Sequence, residues 1–495
     1  MLRSSGVLMH ISSLSSPFGI GTMGKEAREF VDFLEKSGQS YWQILPICPT
    51  SYGDSPYQSY STFAGNPYFI DLDILEKEGY LKKAEYENID WESTPDKVNY
   101  GALYNKRYPV LKLAVERFLK EVSEPFETYC RENAYWLDDY ALFMTLKDLH
   151  GGLAWNEWKL PLKNHEEAAL SEVSIQYKNE ILFWKVLQYW FFEQWNELRA
   201  YANEKGIDII GDIPFYVAFD SVDAWAHSEL FQLDENRRPV DVAGCPPDGF
   251  SATGQLWGNP LYNWEVHEKS HYAWWIQRIG YLTKVYNVLR IDHFRGFDCY
   301  YAIPGDAPDA SSGRWMEGPG MKLFRAMEET IGPQRIIAED LGFLTESVKK
   351  LLKDSGFPGM KILEFAFDTR ESSHEDYLPY NYPPHCVAYT GTHDNDTIQG
   401  WFTSARQEDV DFAKAYLHLD DPSDYHWGMM RALWASTAEF AIVQAQDLLG
   451  LGSESRMNTP STMGGNWVWR ALPGSFNDGL AEKLARYTKL YGRSR

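Results

Sequence analysis

Hydrophobic positions along the chain follow two rhythms. Short apolar runs, several closed by a polar or acidic residue, occur at 6–12 (GVLMHIS), 41–47 (YWQILPI), 207–213 (IDIIGDI), 288–294 (VLRIDHF), 335–340 (RIIAED), 360–365 (MKILEF), 386–392 (CVAYTGT) and 440–446 (FAIVQAQ). This form is expected of buried strands. Between them, helical patterns lie at 25–37, 270–286 and 321–331. Strand and helix alternating in this way predict parallel strands with helical crossovers, and eight is the number at which such a sheet closes. The expected fold class is α/β, a (β/α)8 TIM barrel with large, mainly helical insertions.

The spacing of the runs is uneven. Far more chain separates the second run from the third than one crossover needs, so 48–206 is expected to hold structure of its own. There Ile181, Trp184, Leu187, Phe191, Trp195 and Leu198 recur at three- or four-residue steps, one face of a helix. A second insertion, 215–269, is rich in Gly, Pro, Asn and Trp and reads as ordered loop over the barrel mouth. No repeat, low-complexity tract or flexible linker breaks the chain. All 495 residues are therefore expected to form a single barrel, with both insertions packed on it as subdomains.

Composition narrows the partners. Lys and Arg number 47 against 70 Asp and Glu, a net charge of −23 that repels phosphate backbones and anionic lipid headgroups. A role on nucleic acid or a membrane surface is excluded on that ground, and a neutral or cationic ligand expected. The most apolar window, Ile181 to Phe192, contains Lys185 and Gln188 and reads as a buried helix. Residues Val7 to Ile11, interrupted by His10, do not read as a signal peptide. Cys48, Cys130, Cys245, Cys299 and Cys386 are odd in number and far apart, which suits reduced thiols in a cytoplasmic protein. Aromatic content is the unusual feature: 19 Trp, 31 Tyr and 26 Phe make up 15% of the chain.

In a barrel of this kind, chemistry resides at the C-terminal ends of the strands. Four acidic residues fall there: Asp212, Asp292, Glu339 and Asp394. One alone would read as a surface or capping carboxylate; four on one rim suggest chemistry. Alternation along a strand puts Arg290 and Asp292 on one side, and an adjacent guanidinium is expected to keep the carboxylate ionised. Asp292 then suits a nucleophile. Glu339, in the field of Asp292 and Asp394, is expected to hold its proton and suits a general acid. That pairing cleaves glycosidic bonds, through a covalent intermediate if the groups are close.

His293 and His393 flank two of these carboxylates, and each has alternatives: a packed structural histidine, or a metal ligand. The first strand offers only His10 and then Ser12, and neither a His-x-His pair nor HExxH occurs. Hydrogen bonding to sugar hydroxyls is therefore preferred, with no metal. Sugar rings stack on aromatic faces, and Tyr57 and Trp257 lie among Ser, Gln and Asn in Gly/Pro-rich segments.

These residues also carry a family resemblance. LRIDHFRG (289–296), AEDLG (338–342), GTHDNDT (391–397) and GDIPFYV (211–217) resemble segments of the 4-α-glucanotransferases called amylomaltase or disproportionating enzyme, in the α-amylase-like barrel clan. HISSLSSPFGIG (10–21), DSPYQSYSTFAGNPYFIDL (54–72), PPDGFSATGQLWGNP (246–260) and QDLLGLGSESRMNTPSTMGGNWVWR (446–470) extend it over nearly the whole chain. The chain departs in lacking a Pro after Ser13-Leu14 and in having Thr22 where an acidic residue is common.

The resemblance implies Asp292 as nucleophile, Glu339 as acid/base and Asp394 as the carboxylate that stabilises the transition state. It implies a donor subsite lined by Tyr57, Asp212, Arg290, His293 and His393, with Gln255 and Trp257 in a loop over the cleft. Tyr52 and Tyr100 resemble tyrosines that hold a second glucan stretch, and Phe365 an acceptor-side contact. The implied reaction is transfer of α-1,4-glucan segments between maltooligosaccharides or amylose by a retaining double displacement, with no cofactor. A hydrolase of the same clan and a non-catalytic glucan-binding protein are the alternatives.

Overall fold

In the computed structural model, residues 3–51, 53–247, 253–342, 344–370 and 374–494 are described. The strands in chain order are β1 (Ser4–Leu8), β2 (Tyr41–Gln43), β3 (Asp208–Ile213), β4 (Asp241–Cys245), β5 (Gln255–Pro260), β6 (Val288–Ile291), β7 (Cys299–Pro304), β8 (Arg314–Glu317), β9 (Ile336–Ala338), β10 (Gly359–Ile362), β11 (Cys386–Tyr389) and β12 (Phe440–Gln444). Eight of them pair in parallel in the order β10-β11-β12-β1-β2-β3-β6-β9. The ends of that sheet meet where the Ala338 N–H donates to the Pro358 carbonyl at 3.0 Å, so the sheet curls into a (β/α)8 barrel.

Each barrel strand matches one predicted run, but most stop short at the C-terminal end. The rim there folds into tight turns at Ile11–Ser13, Phe294–Phe297 and Leu363–Phe367. Apolar pattern alone does not mark the change, because Ile11, Phe294 and Leu363 are as buried as the strands that precede them. The crossover helices Lys25–Lys36, Ala273–Val285 and Met321–Ile331 lie where the pattern predicts them.

Segment 48–206 contains the helices Tyr100–Phe118, Glu124–Glu132, Ala134–Leu149 and Lys178–Glu204. In the last of these Trp184, Leu187, Phe191, Trp195 and Leu198 are buried. Two glutamines on the same helix are also buried and serve the backbone of a neighbouring segment. Gln188 accepts from Gly65 N–H at 2.7 Å and donates to Gly65 O at 2.9 Å, and Gln194 does the same for Asp71 at 2.7 and 3.3 Å. Each amide thereby satisfies both backbone groups of a residue flanking the turn Pro67–Phe69, a segment that belongs to no strand. Gly65 is required for that approach, since a Cβ there would lie 2.0 Å from Phe191.

The second insertion departs from expectation. Rather than loop alone, it contributes β4 and β5, which pair antiparallel with β7 and β8 in a separate four-stranded sheet ordered β5-β4-β7-β8. Glycines conceal this in the sequence. At Gly244 a Cβ would meet the Gln255 carbonyl at 2.1 Å, so a residue that reads as loop is what lets β5 approach β4. Among the described residues no helix is long and apolar enough to cross a membrane.

Candidate active site

Three adjacent strands set the centre of the rim. Asp212 on β3 lies in register with Arg290 on β6. One step further along, the Asp292 N–H donates to Ile213 O at 2.9 Å, and just past β9 the Glu339 N–H donates to Ile291 O at 3.1 Å. The parallel stagger thus brings four charged side chains to one end of the barrel.

Arg290 bridges two of them. Its Nη1 lies 2.5 Å from Asp212 Oδ2 and its Nη2 3.1 Å from Asp292 Oδ1. The Asp212 side chain is fully buried, whereas that of Asp292 is 30% exposed and opens to the barrel mouth. Burial works against the Arg290 charge, but Asp212 and Asp292 outweigh it and hold the guanidinium well above its ordinary value. Tyr57 completes the arrangement: its hydroxyl donates to Asp212 Oδ2 at 2.8 Å and lies 3.3 Å from His393 Nδ1. Its ring stacks on His393 with centroids 4.8 Å apart and 18° between planes.

Glu339 is held by backbone. Oε2 accepts from the His293 N–H at 2.6 Å and Oε1 from the Leu341 N–H at 3.0 Å. Burial is the main cause raising its carboxyl above the usual range, with Asp394 adding, while Arg290 and the two N–H donors oppose. The direction agrees with expectation; the leading cause is burial rather than the field of the other carboxylates. Asp292 requires a correction. Although its side chain opens to the mouth, desolvation by the surrounding rim pushes it well above the usual aspartate range, Glu339, Asp212 and Asp394 add, and Arg290 opposes without prevailing. The adjacent guanidinium alone was expected to keep it ionised, but strand alternation says nothing of desolvation.

His293 has φ of +52°, a left-handed conformation uncommon for a residue with a side chain. It lets the chain turn sharply after Asp292, so that the ring meets Trp257 edge-on at 5.1 Å while the N–H faces Glu339. The indole N–H of Trp257 donates to Gln255 Oε1 at 3.1 Å. Burial, with the nearby Arg295 charge, lowers His293 to about 3; burial also lowers His393, which Asp394 partly offsets. Both imidazoles are therefore neutral near pH 7.

Asp394 follows β11 in a rim loop, with its side chain 48% exposed and Oδ1 3.4 Å from His393 Nε2. Asn458 Nδ2 donates to the same oxygen at 2.6 Å, and the Arg456 guanidinium donates to the Asp394 carbonyl. Neither residue was foreseen. Nor was Trp467, whose ring lies 5.8 Å from Tyr57 and 5.7 Å from His393. The signal that singled out Trp257, an aromatic residue in a Gly-rich segment, is present again at Gly464-Gly465-Asn466-Trp467.

The outlying expected contacts are placed differently. Tyr100 is partly buried at the start of its helix and donates to the Trp467 carbonyl at 3.0 Å. Phe365 lies in the turn after β10, is 37% exposed and meets Tyr377 edge-on at 5.4 Å. Tyr52 lies outside the described residues. Among the described residues no group of three or more His, Cys, Asp or Glu is arranged to hold a metal ion.

A (β/α)8 barrel whose rim gathers carboxylates, a bridging guanidinium, neutral imidazoles and aromatic rings defines a barrel enzyme of carbohydrate chemistry. The family model of 4-alpha-glucanotransferase matches residues 9–474, and the chain belongs to that family. It is 49% identical to the 4-alpha-glucanotransferase of Clostridium butyricum over 98% of this chain and 100% of that one. It is 46% identical to that of Thermus thermophilus over 96% of each. The solved amylomaltase of Streptococcus agalactiae in complex with acarbose superposes with a TM-score of 0.97 at 45% identity, covering 100% of both chains.

Proposed function

We propose that this 4-alpha-glucanotransferase transfers α-1,4-glucan segments to the 4-hydroxyl of an acceptor sugar by a retaining double displacement at Asp292 and Glu339. The observation that carries the reading is the Arg290 bridge. Burial makes full ionisation of both Asp292 and Glu339 costly, so the pair favours one proton between them. Arg290 pairs directly with Asp292 at 3.1 Å while favouring the ionised form of both groups, and the shared proton is assigned to Glu339. Glu339 then protonates the leaving 4-oxygen as an Asp292 oxygen attacks the anomeric carbon. The glycosyl ester forms, and Glu339, now ionised, takes the proton of the incoming 4-hydroxyl as that oxygen displaces Asp292.

Tyr57, Asp212, His293 and His393 line the donor side in this reading, with Asp394 accepting hydrogen bonds from ring hydroxyls as charge develops. Gln255 and Trp257 cover the cleft, and Tyr52, Tyr100 and Phe365 contact more distant glucan units. Making transfer outrun hydrolysis by about 1000-fold requires about 4 kcal/mol of preference for a sugar hydroxyl over water. Aromatic rings around the rim, Trp257 and Trp467 among them, support that preference by positioning the acceptor and displacing water. The substrates in this reading are maltooligosaccharides, amylose and other α-1,4-glucans. The odd number and wide spacing of the five cysteines support a reducing, cytoplasmic setting.

Incubating the pure protein with maltotriose tests the reading. Free glucose with a ladder of longer oligosaccharides and constant total reducing ends is expected. Rising reducing ends would mean a hydrolase and overturn it.

A further inference from the structure

We propose that Asp447 is a positioning residue for glucan transfer, whose carboxylate ties together the two ends of the rim loop that carries His393 and Asp394. The proposal rests on the roles assigned to that loop above. The loop leaves β11 at Tyr389 and re-enters regular structure at the helix Ile398–Ser404. Asp447 lies in the single helical turn Ala445–Leu448 that follows β12, and it is buried. Its Oδ2 accepts from the Thr390 hydroxyl at 2.7 Å, where the loop begins, and its Oδ1 from the Ile398 N–H at 2.8 Å, where the loop ends.

Each contact meets a need of the loop. The Ile398 N–H belongs to the first turn of a helix and has no partner within it. Thr397 caps the same helix by accepting from the Gly400 N–H at 3.1 Å, so Asp447 supplies a second acceptor from a different part of the chain. At the other end, the Thr390 hydroxyl donates to Asp447 and accepts from the Gln444 N–H at 3.4 Å, which joins the loop to the end of β12. Two neighbours of Asp447 reinforce the tie: Gln444 Nε2 donates to Asp396 O at 3.2 Å, and Ser453 Oγ to Asp396 Oδ2 at 2.7 Å.

Only a carboxylate presents two equivalent acceptors to donors that lie eight residues apart in sequence. The loop needs such an anchor because the side chain it must aim, Asp394, is nearly half exposed and is not held by core packing. Asp447 touches neither the other rim carboxylates nor the mouth of the barrel. Its effect passes through the loop.

The test compares Asp447→Asn, Thr390→Val and the double variant in maltotriose transfer, with hydrogen exchange of 390–398 measured by mass spectrometry. Asn keeps one acceptor and turns an N–H₂ toward the other donor; Val removes only the hydroxyl. Each single variant is expected to lower kcat by about tenfold or more with KM within about twofold, since the loop aims a group that acts in the transition state. The double variant should lose no more than the worse single, because both changes cut one tie. Exchange in 390–398 should quicken while that of 288–296 stays unchanged.

Normal kcat in the folded single variants, additive losses, or unchanged exchange would overturn the proposal. If Asp447→Asn does not fold, Thr390→Val decides. Asp292→Asn serves as the control for the rim itself: if it transfers normally, the reading of the rim fails, while the exchange data still judge the tie.

Discussion

The two halves of the rim are built differently. At the ends of β3 and β6, Asp212, Arg290 and Asp292 are placed by strand register and locked by ion pairs, the first two residues in the buried interior. On the β11 side, His393 and Asp394 sit in a loop outside the sheet, held by side chains from 444–458 that no pairing pattern specifies. The first half is rigid because breaking it strands a charge away from water. The second is rigid only through several modest hydrogen bonds. A rim made in this way can keep Asp292 fixed while the loop of His393 and Asp394 is adjusted by changes far along the chain.

The largest test of the contrast is Asp292→Asn. It should lower kcat by at least about four orders of magnitude, because the proposed nucleophile is lost while the Arg290–Asp212 pair remains. Activity assayed beside an unchanged circular dichroism spectrum checks this. Arg290→Met should cost about 3–5 kcal/mol of stability in urea unfolding, since it leaves Asp212 buried without its counter-charge. A loss under about 1 kcal/mol would mean that the register half is not locked by its ion pairs.

The third effect is gradual and depends on pH. Folded, Asp292 and Glu339 share a proton to a higher pH than in the unfolded chain, whose carboxyls titrate near about 4. The contribution of the pair to stability is therefore full below that value and is lost as pH rises toward the folded pKa. Asn at 292 takes away one of the two carboxyls and weakens the effect, so the urea midpoint of Asp292→Asn should gain on wild type as pH rises from about 4. A constant difference would show that burial does not govern Asp292. The smallest effect belongs to the loop half. Asn395 Oδ1 accepts from Thr392 N–H at 2.8 Å and from its hydroxyl at 3.0 Å, so Asn395→Ala should cost about 1 kcal/mol. A kcat reduced several-fold at nearly unchanged melting temperature would fit a loop held by several modest hydrogen bonds.

Legibility follows the same division. The eight barrel strands could be read because each is a buried run with a helix or an insertion beyond it, and Asp212, Arg290, Asp292 and Glu339 could be read because alternation and strand ends locate them. The four-stranded sheet could not be read: Gly244 and Gly258 interrupt β4 and β5, and their partners β7 and β8 lie on the far side of a barrel strand. Asn458, Trp467 and Asp447 were missed for a related reason. Asn458 and Trp467 reach the rim, and Asp447 the ends of its loop, from a segment after β12, and nothing local to 445–467 shows that it folds over β11.

Sequence alone determined the fold class, the family and which carboxylates meet on the rim, because these depend on short-range periodicity and on side chains that strand geometry must bring to one edge. Tertiary structure alone decided which cause governs their protonation and what holds the loop of Asp394. Desolvation depends on everything packed around a group, and a tie such as Asp447 to Thr390 and Ile398 joins positions that only the closed barrel brings within 3 Å.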